Sequence, residues 1–246
     1  MTALLSTQGL SLSFGAVVAC DAIDFTLQGG ERLAVVGQNG AGKTTFLNIV
    51  TGYLKPSAGR VFFDGANISG LQPRAITRRG IGRSFQLPQL FTAHTVRECL
   101  LLAASARAPR RGWWPPLEQA VDAARVDATL ELLQLAPRAH DLAGALPEGQ
   151  RKLLDVAMAL ILEPRLLIMD EPTSGVSTDE KHGLMQVLMR ALDARQVSCI
   201  FVEHDIEIVR AHATRLCAWI AGRIAADGPP AQVLADPVVV KNVIGE

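Results

Sequence analysis

A short apolar run, Glu31-Arg32-Leu33-Ala34-Val35-Val36, leads directly into Gly37-Gln38-Asn39-Gly40-Ala41-Gly42-Lys43-Thr44, which fits the pattern GxxxxGK[ST]. No other stretch restricts the fold as strongly. The β-branched run reads as a buried strand, and Lys43 to Val50 has the composition of a helix. Between a strand and a helix, glycines let the backbone wrap an anion so that successive N–H groups point inward. The helix N-terminus adds partial positive charge. In that setting Lys43 neutralises the β- and γ-phosphates and the Thr44 hydroxyl ligates Mg²⁺. Ordinary residue frequencies produce the pattern by chance in roughly one chain of this length in a hundred. Its position after a strand lowers those odds further, and nucleotide binding is the reading that follows.

The rest of the chain supplies the frame for such a loop. Arg165 to Asp170 and Val197 to Val202 are two more apolar runs of strand length. Between them Thr178 to Ala194 spaces Leu184, Val187, Leu188 and Ala191 along one helix face. Alternating strands and helices imply a parallel sheet with helices on its faces. Leu4 to Leu27 alternates as antiparallel strands do. From Pro88 to Glu163 no strand is evident, and Val121 to Leu135 is the clearest helix. The expectation is an α/β P-loop NTPase core with an N-terminal antiparallel β subdomain and an inserted α-helical subdomain. Residues 1–87 and 164–246 would form the core, and residues 88–163 the helical part.

A glycine cradle alone does not separate kinases, GTPases, helicases and transporters. Leu166-Leu167-Ile168-Met169-Asp170 narrows the field, because it puts a carboxylate at the C-terminal end of a buried strand, where open α/β sheets place ligands. Asp170 is then placed to hold the magnesium shell, and Glu171 to polarise an attacking water as general base. An Asp-Glu pair without the upstream cradle would read more simply as a helix cap and a solvated neighbour.

Composition sets limits on partners. Twenty-four Lys+Arg balance 24 Asp+Glu over 246 residues, which argues against a global electrostatic grip on nucleic acid or anionic lipid. With 49% hydrophobic and 20% charged residues the chain has enough apolar surface to fold. No apolar run approaches the ~20 residues of a membrane helix; the longest, Leu153 to Leu162, is interrupted by Asp155. Met1-Thr2-Ala3-Leu4-Leu5 has no basic region or long apolar core of a signal peptide. Cys20, Cys99, Cys199 and Cys217 are scattered without metal spacing and read as buried thiols of a reducing compartment.

Beyond the cradle, Gln86, Leu146-Pro147-Glu148-Gly149-Gln150, Asp170-Glu171 and His204 follow in one order. That series resembles the ATP-binding subunit of an ABC transporter, over essentially the whole chain. The resemblance implies an ATPase that uses ATP and Mg²⁺. It counts Gly37, Gln38, Asn39, Gly40, Ala41, Gly42, Lys43, Thr44 and Thr45 as the nucleotide loop, with Phe14 stacking on adenine. A core role for Phe14 fits its strand equally well. Gln86 corresponds to the glutamine that reaches the metal and the attacking water, His204 to the switch histidine at the γ-phosphate, and Thr44, Gln86 and Asp170 to the metal site.

Residues 146–150 resemble the family signature, usually Leu-Ser-Gly-Gly-Gln, whose helix N-terminus faces the γ-phosphate held by a second subunit. Gly149 and Gln150 are kept, while Pro147 replaces the serine and Glu148 the first glycine. Pro147 suits helix entry; Glu148 would repel phosphate and is expected to turn away. Ser177 stands where the family usually ends its D-loop in Asp or Asn, and Ser177-Thr178-Asp179-Glu180 also reads as a helix cap.

Ser13-Phe14-Gly15, the Leu-Pro-x-Gly-Gln signature, Thr173 to Ser177 and Asp227-Gly228-Pro229-Pro230 resemble the branch serving branched-chain amino acid, urea or short-amide uptake. That branch implies two membrane permease subunits, a second ATPase subunit of the same or a different chain, and a periplasmic solute-binding protein. It also implies a peripheral place on the cytoplasmic face of the inner (plasma) membrane and no nucleic-acid partner. Export of another solute and a soluble ABC-type regulatory role remain open alternatives at this point. Arg110-Arg111-Gly112-Trp113-Trp114-Pro115-Pro116 reads either as a headgroup or permease contact or as a plain loop with packed tryptophans.

Overall fold

The computed structural model describes residues 3–106 and 122–245. The Arg110–Pro116 segment and Val121 lie outside the described residues. In chain order the first elements are β1 (Leu5–Phe14), β2 (Val17–Leu27), β3 (Arg32–Gly37), α1 (Lys43–Val50), β4 (Ala58–Phe63), β5 (Ala66–Asn67), α2 (Pro73–Arg78) and β6 (Ile81–Ser84). The middle of the chain holds α3 (Val96–Ser105), α4 (Ala123–Leu132) and α5 (Glu148–Leu160). There follow β7 (Leu166–Asp170), α6 (Thr178–Ala194), β8 (Ser198–Val202), α7 (Ile206–His212), β9 (Arg215–Ile220) and β10 (Arg223–Gly228). Short helical turns close the chain, the last a π-helical turn at Val240–Ile244.

Two compact units result: Met1–Ile81 with Ser198–Glu246, and Gly82–Val197. The first unit carries two sheets. One is antiparallel, in the order β2-β1-β4-β5, with Leu5 opposite Leu27 and Phe14 opposite Val17. Alternation in β1 buries Leu5, Thr7, Leu10 and Leu12, and register shifts after Thr7 let the strand bend. The other sheet runs β10-β9-β3-β8. There β3 lies parallel to both β8 and β9, and β10 turns back antiparallel on β9. All four of these strands but β10 are mostly buried, as a sheet covered on both faces requires. Beneath α1 the rings of Phe25, Phe46 and Trp219 form a contiguous cluster, with centroids 5.4 and 4.9 Å apart. Losing Phe46 would cost about 3–5 kcal/mol.

In the second unit β6 and β7 are neighbouring strands, and every residue of β7 is buried. Among the described residues from Pro88 to Glu163 there is no strand; the segment is helical, with α3 packed on α4 and α5, and α5 on α6. Helix α3 starts at a reciprocal cap: Thr95 Oγ1 accepts from Glu98 N at 3.2 Å and Glu98 Oε2 accepts from Thr95 N at 2.7 Å. Helix α4 starts at Asp122, whose carboxylate accepts from Ala124 N. It ends sooner than its apolar spacing suggests, because Gln134 turns to φ +58° and Ala136-Pro137 begins a new turn. All four cysteines are buried and unbridged, and burial pushes the Cys20 thiol up to about 11.

Candidate nucleotide site

The first unit holds the glycine-rich loop between β3 and α1. The backbone leaves β3 at Gly37 and enters α1 after Gly42, and both positions exclude a side chain. A Cβ on Gly37 would stand 2.4 Å from the Trp219 carbonyl oxygen, and one on Gly42 only 2.0 Å from the Ala19 carbonyl oxygen. Gly42 also sits at φ +100°, a left-handed conformation that favours glycine. Gln38, Asn39 and Gly40 are exposed on the loop crest. Lys43 is 6% exposed, and its ammonium donates to the Gly37 carbonyl at 2.6 Å and the Gln38 carbonyl at 2.9 Å. The cation is thus already held at the mouth of the loop. Thr44 is exposed, Thr45 half-buried and Ala41 buried. A cleft of about 220 Å³ runs beside the crest, lined by Gln38 to Ala41, Trp219 to Ala221 and Asn242.

Phe14 lies at the tip of the β1–β2 hairpin and is 52% exposed. The core reading of Phe14 is therefore excluded. His204 is exposed two residues beyond the end of β8. Its position is fixed from both sides. Asp205 caps α7 by accepting from Glu207 N and Ile208 N at 3.1 and 3.4 Å, and the buried Glu203 accepts from His204 N at 3.3 Å.

The second unit holds the acidic pair. Asp170 ends β7, buried, with the Arg83 guanidinium 3.4 Å from Oδ2. Arg83 comes from the neighbouring strand β6 and lies over the Phe85 ring. Glu171 follows at φ +51°, a left-handed conformation for a non-glycine residue. Gln86 Nε2 donates to Glu171 Oε2 at 2.6 Å. Beneath them, buried Lys152 and Asp155 of α5 bind the backbone around Gln86. Pro147 is the cap residue of α5, and Gly149 and Gln150 lie half-buried in its first turn. The Glu148 side chain packs beside Gly175. Ser177 stands at the cap of α6, but its hydroxyl donates to Glu180 Oε2 at 2.7 Å instead of accepting a backbone N–H.

Of the residues singled out from sequence, the second unit brings Gln86, Asp170 and Glu171 together, and the first assembles Gly37 to Thr45. Sequence reasoning missed Arg83, Lys152, Asp155 and Glu203. Half of the signal lay in α5, where Asp155 interrupts Leu153, Leu154, Val156 and Ala157 just after Lys152, which points to buried charges but not to their partners. Charges inside an apolar stretch are buried only when paired.

The family model described as "ABC transporter" matches residues 20–174. The chain belongs to the ABC transporter ATP-binding family. A probable branched-chain amino acid transport ATP-binding protein LivG of Archaeoglobus fulgidus is 35% identical over 98% of this chain and 95% of its own. The high-affinity branched-chain amino acid transport ATP-binding protein BraF of Pseudomonas aeruginosa is 31% identical over 99% of this chain and 98% of its own. An ATP-binding cassette of an ABC transporter solved in its ADP conformation is 31% identical and covers all of both chains at a TM-score of 0.84.

As an ABC cassette, the chain is the nucleotide-binding ATPase subunit of an ABC transporter. Its architecture is the P-loop NTPase core with the antiparallel β and α-helical additions that the sequence suggested. No helix among the described residues is long and apolar enough to cross a membrane.

Proposed function

We propose that this cassette hydrolyses ATP to power import of branched-chain amino acids or a related small solute such as urea or a short amide. The observation that carries the reading is the match, at 31–35% identity and nearly full length on both sides, to two proteins named for branched-chain amino acid transport. The cassette would sit on the cytoplasmic face of the plasma membrane with two permease subunits and a second ATPase subunit, and a periplasmic binding protein would deliver the solute.

In this reading Gly37 to Thr45 cradle the triphosphate, Lys43 exchanges its two carbonyl contacts for phosphate oxygens, and Phe14 stacks on the base. Glu171 accepts the proton of the attacking water at a carboxylate oxygen, Gln86 fixes that carboxylate, and His204 contacts the γ-phosphate. Pro147, Gly149 and Gln150 present the α5 N-terminus to the nucleotide of the second subunit. The Thr44 hydroxyl, the Asp170 carboxylate and the side-chain oxygen of Gln86 are the hard oxygen donors Mg²⁺ prefers; the Gln86 nitrogen is already engaged with Glu171. When bound, Mg²⁺ would neutralise charge on the triphosphate.

Reconstitution of the cassette with its permeases and binding protein in proteoliposomes tests the proposal. ATP-dependent accumulation of radiolabelled leucine or urea is expected. Efflux of solute, or hydrolysis unaffected by any amino acid or amide, would contradict it.

A further inference from the structure

Two buried charges on one helix have no role in the chemistry described so far. Lys152 and Asp155 lie three apart on α5, so they project from the same face. They are 4% and 7% exposed among apolar neighbours, where each charge needs a partner. Their partners are backbone atoms of two functional segments. Asp155 Oδ2 accepts from Phe85 N at 3.0 Å and Oδ1 from Gln89 N at 3.2 Å. Lys152 Nζ donates to the Gln86 carbonyl at 3.1 Å and to the Glu171 carbonyl at 3.0 Å.

One ammonium therefore ties together the main chains of the two residues whose side chains are themselves joined at 2.6 Å. It does so where the backbone is left-handed, Glu171 sitting at φ +51°. The same helix begins at Pro147 and Gly149, about one turn before Lys152.

We propose that Lys152 is a positioning residue for hydrolysis, holding the Gln86–Glu171 pair in its working geometry and linking that pair to the signature end of α5. Asp155 supports it by fixing the loop on either side of Gln86. Because the helix is rigid over the single turn between Gly149 and Lys152, a nucleotide engaged at its N-terminus shifts the base of the same chain. This inference rests on the assignment of Glu171 as base.

Kinetics of the full chain in its assembled transporter test it, with Lys152→Met, Lys152→Arg and Glu171→Gln measured side by side. Lys152→Met is expected to lower kcat about tenfold to a hundredfold with KM for ATP nearly unchanged, as misplacement of a base does. Lys152→Arg, which keeps the charge and several donors, is expected to recover most of the rate. A merely structural lysine would alter thermal stability or KM and leave kcat intact. If Lys152→Met fails to fold, Lys152→Gln carries the same comparison. Wild-type kcat in the Lys152 variants beside a dead Glu171→Gln would overturn the role of Lys152 alone. An active Glu171→Gln would overturn the base assignment, and this role with it.

Discussion

Gln86 Nε2 donates to Glu171 Oε2 at 2.6 Å, joining the loop after β6 to the first residue after β7. In the proposed reaction the Glu171 carboxylate takes a proton from water and needs a fixed orientation, and this bond supplies it through a side chain that is itself exposed and replaceable. Gln86→Ala is expected to lower kcat about tenfold while leaving the ATP dissociation constant within about twofold. Steady-state kinetics beside equilibrium binding check this. A weakened affinity with unchanged kcat would assign Gln86 to binding instead.

Phe14 is free of the core, so its removal should leave stability within about 0.5 kcal/mol. If it stacks on adenine, Phe14→Ala should weaken ATP binding about tenfold and Phe14→Trp should preserve it. Thermal unfolding with and without nucleotide separates the two effects.

Gly42 leaves no room for a methyl group, which would fall 2.0 Å from the Ala19 carbonyl oxygen at a φ of +100°. Gly42→Ala is expected to cost about 3 kcal/mol or more and to abolish nucleotide binding by deforming the cradle. Chemical denaturation and a fluorescent-nucleotide titration report both outcomes.

Asp155 gives stability a definite pH dependence. Burial raises its pKa to about 6, against the lowering pull of the Phe85 and Gln89 N–H groups and of Lys152. Between the unfolded value near 3.8 and about 6 the folded state binds the extra proton, so stability falls as pH rises across that window and levels off above it. The contribution is about 3 kcal/mol at most. Unfolding midpoints from pH 4 to 7 should show this downward slope in the wild type and its absence in Asp155→Asn.

The fold was legible wherever one physical signal dominated. Thr178 to Ala194 was readable as a helix to its ends, because its apolar residues keep a helical period and Ser177 marks its start. The glycine-rich loop was legible because a β-branched run before it and helix-forming residues after it fix a strand–turn–helix course. Strand β10 was not, since its exposed alternation includes Arg223 and Asp227, whose ion pairs with Asp21 and Arg215 are long-range facts. The hydroxyl of Ser177 shows a subtler limit: local sequence offers it both a backbone N–H and the Glu180 carboxylate, and only the settled helix end decides for the carboxylate. Lys152 and Asp155 were hidden for the same reason, because nothing local to α5 says that a loop some 66 residues earlier offers backbone partners.

Steady-state ATP hydrolysis by the assembled transporter carrying Glu171→Gln bears most directly on the site. Loss of turnover by at least about a hundredfold, with ATP still bound tightly, is the expected result. Hydrolysis at the wild-type rate would contradict the assignment of Glu171 as the base and the arrangement built around it.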